Sequence, residues 1–172
     1  MTRPSGEIRR VLAVEPISKG FGYAVLEGPE SLVDWGVKRS PRVSNDWCLR
    51  HVGDLLDQFH LDLVVIENAA AKRSRRSPRV RELLREIRRL ARSRRVPTRT
   101  VSRRAVHRAF GSSERATKHR IATRIARRFP ALVPKLPPPR KAWRSEDHRL
   151  AIFTAAALGL TFFHLEERVT LL

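Results

Sequence analysis

The chain has 172 residues, of which 41% are hydrophobic, and this size and composition suffice for one well-buried globular domain. A formal net charge of +19, from 36 Lys and Arg against 17 Asp and Glu, favours a polyanionic partner such as nucleic acid over a membrane surface or an acidic protein. A single cysteine excludes an internal disulfide, and the lack of an apolar signal or membrane-spanning run favours a soluble protein of the cytoplasm.

The first predicted element is a hairpin whose first strand ends on an acid. Val11–Val14 form a continuous apolar run, which is typical of a strand covered on both faces, and Gly20–Leu26 follow as its partner. Glu15 comes directly after the first run. A carboxylate at the end of a buried strand is costly unless it is solvated, paired or bound to a cation, so Glu15 marks a candidate site.

After a third strand and a helix, the sequence predicts another buried strand that ends on an acid. Leu32–Arg39 alternate in polarity, which predicts a strand with one buried face. The helical spacing of apolar residues between Ser44 and Phe59 then predicts a crossover helix. It leads to the apolar strand Leu63–Ile66, which ends on Glu67. A second carboxylate therefore stands where a buried strand stops.

The middle of the chain is rich in arginine. The predicted elements are a basic loop at Lys72–Arg79, a helix from Val80 to Ala91, a short strand at Pro97–Val101, a short helix capped by Ser102 that ends at Phe110, and a helix over about Arg115–Phe129. Between Lys72 and Arg128 lie 22 of the 36 basic residues. Such an excess destabilises a compact state unless a polyanion neutralises it. The predicted phosphate contacts are Arg73, Arg75, Arg76 and Arg79, followed by Arg103, Arg104, Lys118 and Arg120.

The last part contains a proline-rich segment and an apolar helix. Pro130–Arg140 is predicted to be a loop or lid, because proline interrupts helices and central strands. Ser145 is the predicted cap of a helix that is apolar almost all round from Leu150 to Leu160. Trp143 is interpreted as a packing residue. The predicted first turn of the helix holds Glu146, Asp147 and His148.

Four acidic or histidine side chains from distant parts of the sequence suggest a metal site. Glu15, Glu67, Asp147 and His148 each stand where a buried element meets solvent, and Mg²⁺ or Mn²⁺ binds through a few such ligands. Two ions about 4 Å apart can activate water for phosphodiester hydrolysis. Each acid alone is better explained as a solvated group or as the partner of one of the many arginines. The matching contexts of Glu15 and Glu67 favour a shared site and a nuclease.

At this point the chain resembles a family, the RuvC-type Holliday junction resolvases of the RNase H-like superfamily. The resemblance rests on VLAVEPISKGFGYAVL, VVIENAA and SEDHRLAIFTAAALGL, and it covers nearly the whole chain. It implies an α/β fold with a mixed five-stranded sheet flanked by helices, in a single domain over residues 1–172. Two departures stand out: Glu15 replaces the usual aspartate, and Glu146, Asp147 and His148 are adjacent instead of being spaced by one helical turn.

The resemblance implies a metal-dependent endonuclease that resolves branched DNA and acts as a homodimer. Glu15 and Glu67 would hold Mg²⁺ or Mn²⁺, and Asp147 and His148 would complete the site, with Glu146 as an alternative. A nuclease of the same fold that acts on flaps or RNA–DNA hybrids is one alternative. A nucleic-acid-binding protein with a degenerate site is a further alternative.

Overall fold

The computed structural model describes residues 9–70, 74–111 and 117–170. Its centre is one mixed five-stranded sheet, as the resemblance implied. The strands are β1 (Arg10–Ile17), β2 (Gly20–Glu27), β3 (Leu32–Arg39), β4 (Leu63–Glu67) and β5 (Thr98–Val101). Their spatial order is β3-β2-β1-β4-β5; the first three strands pair antiparallel, while β4 and β5 are parallel to β1.

Helices cover both faces of the sheet, and hydroxyl side chains start four of them. The helices are α1 (Asn45–Gln58), α2 (Pro78–Ser93), α3 (Arg103–Phe110), α4 (Lys118–Arg128) and α5 (Leu150–Thr170). The capping side chains, which accept hydrogen bonds from the first turns of α1 to α4, are Ser44, Ser77, Ser102 and Thr117.

The alternation of side chains along β1 decides on which face the candidate site lies. Val11 and Ala13 join the core formed with α3, α4 and α5, while Leu12 and Val14 join the core formed with α1 and α2. Because successive residues of a strand point to opposite faces, Glu15 shares the face of Ala13. The first acid is therefore on the side of the sheet that α5 covers.

Two segments before α5 differ from the prediction. Pro130–Lys135 form a short 3-10 helix where a loop was expected, which is compatible with proline at the start because the first amide of a helix needs no acceptor. Helix α5 begins at Leu150, so Ser145 does not cap it and the predicted first turn lies outside the helix. The amides of Leu150 and Ala151 donate to the carbonyls of Asp147 and His148, three residues back. The predicted start of α4 at Arg115 lies outside the described residues.

Helix α5 is the central helix of its layer. It packs mainly on β1, β2 and α4. By length and composition Leu150–Val169 could cross a membrane. However, 72% of its apolar 18-residue stretch is buried within this fold, as expected for a core helix.

Candidate active site

Glu15 and Glu67 lie side by side at the end of the two central parallel strands. The register pairs Ala13 of β1 with Val65 of β4, so the residues two positions further along both strands are neighbours on the same face. Both carboxylates are buried, with only 4% of Glu15 and 6% of Glu67 exposed. Two buried carboxyl groups this close are stable only when a nearby cation or a shared proton compensates their charge.

In this structure the cation is the guanidinium of Arg76. Its Nη2 donates to Oε1 of Glu15, its Nε donates to Oε2 of Glu67, and its Nη1 donates to the carbonyl oxygen of Pro16 at 3.4 Å. Arg103 reinforces the arrangement, because its Nε donates to Oε1 of Glu67 at 3.2 Å. The site therefore contains two carboxylates and two guanidinium groups.

The charges of this cluster depend on one another. Burial raises the pKa of Glu15, and the negative charge of Glu67 raises it further, whereas Arg76 and Arg103 lower it. Burial disfavours the charged form of Arg76, but the two carboxylates outweigh this effect and raise the pKa of Arg76. The net result is a raised pKa for Glu15, because the contact with Arg76 only partly offsets the effect of burial.

The segment that delivers Arg76 is fixed on both sides. The Oγ of Ser74 accepts from the amide of Arg76 at 3.4 Å, and Ser77 immediately after it caps α2. Arg79 in the first turn of α2 donates to the carbonyls of Ile17 and Ser18. These contacts tie the start of α2 to the end of β1, where Glu15 lies.

The other three predicted metal-site residues are not in contact with the carboxylate pair. Asp147 forms a salt bridge with Arg149 at 2.8 Å, and the hydrogen bonds from that guanidinium lower the pKa of Asp147 to about 2. Glu146 pairs with Lys118 at 2.7 Å, and the side chain of His148 is 43% exposed. Within the described residues no three acidic, histidine or cysteine side chains form a cluster suited to a metal ion.

Two buried carboxylates nevertheless fit one hard divalent cation. Mg²⁺ is commonly held by one or two carboxylates and keeps water or substrate phosphate in its other positions. The oxygen atoms that face Arg76 are the donors such an ion needs. The fit has one condition: the guanidinium of Arg76 and the ion cannot occupy the same space.

A separate open cavity of about 830 Å³ begins at Ile17, the last residue of β1. We call it the basic cavity, because five cations line it: Lys19, Arg39, Arg140, Lys141 and Arg144. Ile17 and Ser18, just beyond Glu15, contribute to its wall, as do Asp147 and His148. Asp147 and His148 therefore line a different cavity from the one that Glu15 and Glu67 line.

Sequence reasoning missed the five cations of the basic cavity as binding candidates. Three of them, Arg140, Lys141 and Arg144, follow three prolines closely, and this basic cluster could have indicated a binding surface. Lys19 and Arg39 carried none, because the sheet brings them together: the pairing of Gly20 with Arg39 places them at one end of the hairpin.

The predicted phosphate contacts are divided among several environments. Arg76, Arg79 and Arg103 are engaged with carboxylates or backbone carbonyls, as described above, and Lys118 pairs with Glu146. Arg75, Arg104 and Arg120 are exposed on the surface. Arg73 lies outside the described residues.

Comparisons with known proteins give one sequence relative and several structural ones. No family model matches the chain. The crossover junction endodeoxyribonuclease RuvC of Akkermansia muciniphila is 36% identical over 66 residues, which are 34% of this chain and 40% of the relative. The chain thus spans about two fifths of the length of the curated relative that it matches.

Two solved structures share the arrangement of strands and helices. The T. thermophilus RuvC in complex with a Holliday junction substrate superposes with a TM-score of 0.66 at 18% identity, over 92% of this chain and 96% of that one. The yeast mitochondrial Holliday junction resolvase Ydc2 gives a TM-score of 0.63 at 14% identity, over 97% and 82% of the two chains. At these identities the likeness concerns the fold.

Proposed function

Because the chain has the fold of the RuvC-type Holliday junction resolvases, we propose that it is a metal-dependent endonuclease that hydrolyses phosphodiesters of branched DNA, four-way junctions above all. The observation that carries the proposal is the in-register pair of buried carboxylates, Glu15 and Glu67, in a chain of net charge +19. Paired acids of this kind suit a divalent cation, and the charge suits DNA. The chain would work inside the cell, where DNA is found.

Glu15 and Glu67 would hold the ion, Mg²⁺ or Mn²⁺. When bound there, the ion would supply Lewis-acid stabilisation of the phosphate and activation of a water. Arg76 must first leave the carboxylates, and a phosphate of bound DNA would be an alternative partner for its guanidinium. A phosphate that attracts Arg76 would then free both carboxylates at the moment when substrate is present.

Asp147 and His148 are proposed to complete the site after a local change at the start of α5. Thr154 and Leu158 of α5 line the cavity that contains Glu15 and Glu67, and the backbone of Ala151 approaches Gly22, the partner of Glu15 in the hairpin. Extending α5 by one turn would put Asp147 on the same stripe as these residues, because positions four and seven apart share a helix face. His148 would point about 100° away, so Asp147 is the stronger candidate.

The partner DNA would be held by arginines and lysines around the carboxylate pair. Arg75 and Arg104 are exposed and available for phosphate, and the five cations of the basic cavity extend this surface. Phosphate contacts give affinity and position without reading sequence, so the shape of the DNA would select the substrate.

Symmetric cleavage of a four-way junction requires two active sites related by a two-fold axis, so we propose a homodimer. Sedimentation equilibrium of the complex with junction DNA should then give the mass of the DNA plus twice the chain mass of 19.8 kDa. A single chain per junction at saturation would contradict the dimer.

The test is cleavage of synthetic four-way junctions, flaps and RNA–DNA hybrids with Mg²⁺ or Mn²⁺. Wild-type protein should cut the junction, and Glu67→Gln should abolish cutting while binding remains. Glu82→Gln is the matched control, because Glu82 is an exposed acid on α2 that pairs with Arg85. Metal-independent cleavage, or cleavage that survives Glu67→Gln, would contradict the proposal, and cutting of flaps or hybrids alone would reassign the substrate.

A second candidate function is supported by Arg76. Its guanidinium satisfies both carboxylates without any metal, so the same structure suits a nucleic-acid-binding protein with a degenerate site. Tight junction binding without cleavage under every metal tested, in wild type and in Arg76→Ala, would favour this function.

A further inference from the structure

Trp143 is exposed to a degree that its apolar character does not explain. It is 79% exposed, the largest value among the exposed large hydrophobic residues of the described part of the chain. The sequence-based interpretation of Trp143 as a packing residue is therefore wrong. A tryptophan in water leaves a large apolar surface unburied, and such rings are enriched where a partner will cover them.

The backbone on both sides of Trp143 is constrained, although the ring itself is not buried. Three consecutive prolines, Pro137 to Pro139, restrict the preceding segment, and Pro137 is buried with its carbonyl 3.0 Å from Nε2 of His119. The amide of Arg144 donates to the carbonyl of Lys141 at 3.0 Å, which closes a turn with Trp143 at its third position. A side chain presented on an ordered turn loses little further freedom when it binds a partner.

The charges around Trp143 are cations with no carboxylate partner. The Nζ of Lys141 lies 5.5 Å from the centre of the ring. In the described residues, none of the five cations of the basic cavity forms a salt bridge with an acid. The two acids of the same cavity, Glu146 and Asp147, are already neutralised by Lys118 and Arg149. An anion that enters the cavity would therefore find positive charge that no acid neutralises.

An aromatic face beside several cations matches the chemistry of one nucleotide. The cations match a phosphate, and the ring matches the face of a base. A base inside a duplex has both faces covered by its neighbours, so only an unpaired or splayed base can stack on a protein side chain. The partner that fits both features is a DNA strand with unpaired bases, such as the strand at a branch point.

We propose that Trp143 is a stacking platform for an unpaired nucleobase of branched DNA, and that the basic cavity holds the phosphates of the same strand. The proposal rests on the proposed function and specifies how its substrate is recognised. Because Ile17 and Ser18 line the cavity, a strand in the cavity would pass the end of β1, the strand that carries Glu15. Stacking on any of the four bases would favour branch structure without selecting a sequence.

The experiment measures DNA binding in EDTA, so that no cleavage takes place. Fluorescence anisotropy would compare a four-way junction, a single strand and a fully paired duplex. Trp143→Ala should weaken junction and single-strand binding by about tenfold and duplex binding much less, whereas Trp143→Phe should keep most of the affinity. Val133→Ala is the matched control, because Val133 is a 54% exposed apolar residue in the neighbouring 3-10 helix.

A second comparison isolates the base. A single strand that carries only abasic sites retains its phosphates but offers nothing to stack on, so wild type and Trp143→Ala should bind it equally. An equal loss on the normal and the abasic strand, or no loss on either, would overturn the proposal. Since this readout needs neither metal nor cleavage, it succeeds or fails separately from the Glu67→Gln cleavage test.

Discussion

At the scale of single residues, Arg76 determines the state of the candidate site. A guanidinium between Glu15 and Glu67 satisfies two buried charges and at the same time occupies the space that a divalent cation would use. The arginine is held by its carboxylates, with 18% of its side chain exposed. The same residue therefore stabilises the free protein and competes with the metal.

Replacement of Arg76 by Ala should separate these two effects. Without metal, the free energy of unfolding should fall by about 3 kcal/mol, because two buried carboxylates lose their counter-ion. The affinity for Mn²⁺ should rise about tenfold or more, because a competing intramolecular cation is removed. Calorimetric titration with Mn²⁺ and urea unfolding with and without the ion would measure both quantities.

Arg85→Ala is the control for this experiment. Arg85 is 60% exposed and pairs with Glu82 on the surface of α2, so its loss should change stability by less than about 1 kcal/mol and leave Mn²⁺ affinity unchanged. Weaker Mn²⁺ binding in Arg76→Ala would mean that Arg76 helps to build the metal site.

A second residue-scale prediction ranks the three candidates ahead of α5. Asp147→Asn should reduce junction cleavage at saturating Mg²⁺ by at least about tenfold. Activity commonly falls by about this factor when a residue that only hydrogen-bonds to a metal ligand is replaced, so the loss of a ligand itself should cost no less. Glu146→Gln should have a smaller effect, because Glu146 is bound to Lys118 in an exposed pair. His148→Ala should fall between them. Single-turnover cleavage rates would give the order, and a larger loss for Glu146→Gln than for Asp147→Asn would reverse the assignment.

At the scale of elements, the contact between α5 and β2 positions the site. Gly22 lies opposite Glu15 in the hairpin, and a Cβ built on it would come within 2.4–2.6 Å of Ala151 in the first turn of α5. The absence of a side chain at Gly22 is thus the condition for α5 to approach the sheet beside the carboxylate pair. The same approach carries Thr154 and Leu158 to the wall of the site.

Gly22→Ala should therefore push α5 away from the sheet. Overpacking of this kind costs about 1–3 kcal/mol of unfolding free energy, and cleavage should fall together with stability. Gly53→Ala in α1 is the matched control, because its new Cβ would have its nearest neighbours at 3.8 Å and alanine favours a helix. Urea unfolding of both variants checks the prediction, which an unchanged Gly22→Ala protein would contradict.

At the scale of the whole molecule, the net charge of +19 should dominate the binding of DNA. Cations that contact phosphate release counter-ions from the DNA, so binding weakens as salt rises. The described surface offers the exposed arginines near the carboxylate pair and the five cations of the basic cavity. Affinity measured at one salt concentration would therefore say little about specificity.

The dependence on salt can be predicted for the basic cavity. If each of its five cations contacts a phosphate of a single strand, the plot of log association constant against log salt should have a slope of about −3.5 from these contacts alone. The double variant Arg140→Ala, Arg144→Ala should make the slope shallower by about 1.4, whereas Trp143→Ala should leave it unchanged. Anisotropy titrations from about 50 to about 300 mM salt, a range that brackets the physiological ionic strength, would measure these slopes. An unaltered slope in the double variant would exclude the cavity from phosphate binding.

The sequence by itself determined the two buried strands and the acid at the end of each. Continuous apolar runs before Glu15 and Glu67 have the length and period of buried strands, and these local patterns survive in the fold because packing agrees with them. The charge surplus likewise follows from composition alone. What a local pattern predicts here is the type of an element and the acid at its end.

Only the tertiary structure decided which groups meet. That Arg76 would take the carboxylates depends on how the loop before α2 folds over the end of β1, and many arginines in the sequence were equally eligible. That Asp147 would pair with Arg149 outside α5 depends on where the helix begins, a boundary that propensity places poorly. The physical reason is the same in both cases: the partner of a charge is set by distances between chain-remote atoms, which no local pattern encodes.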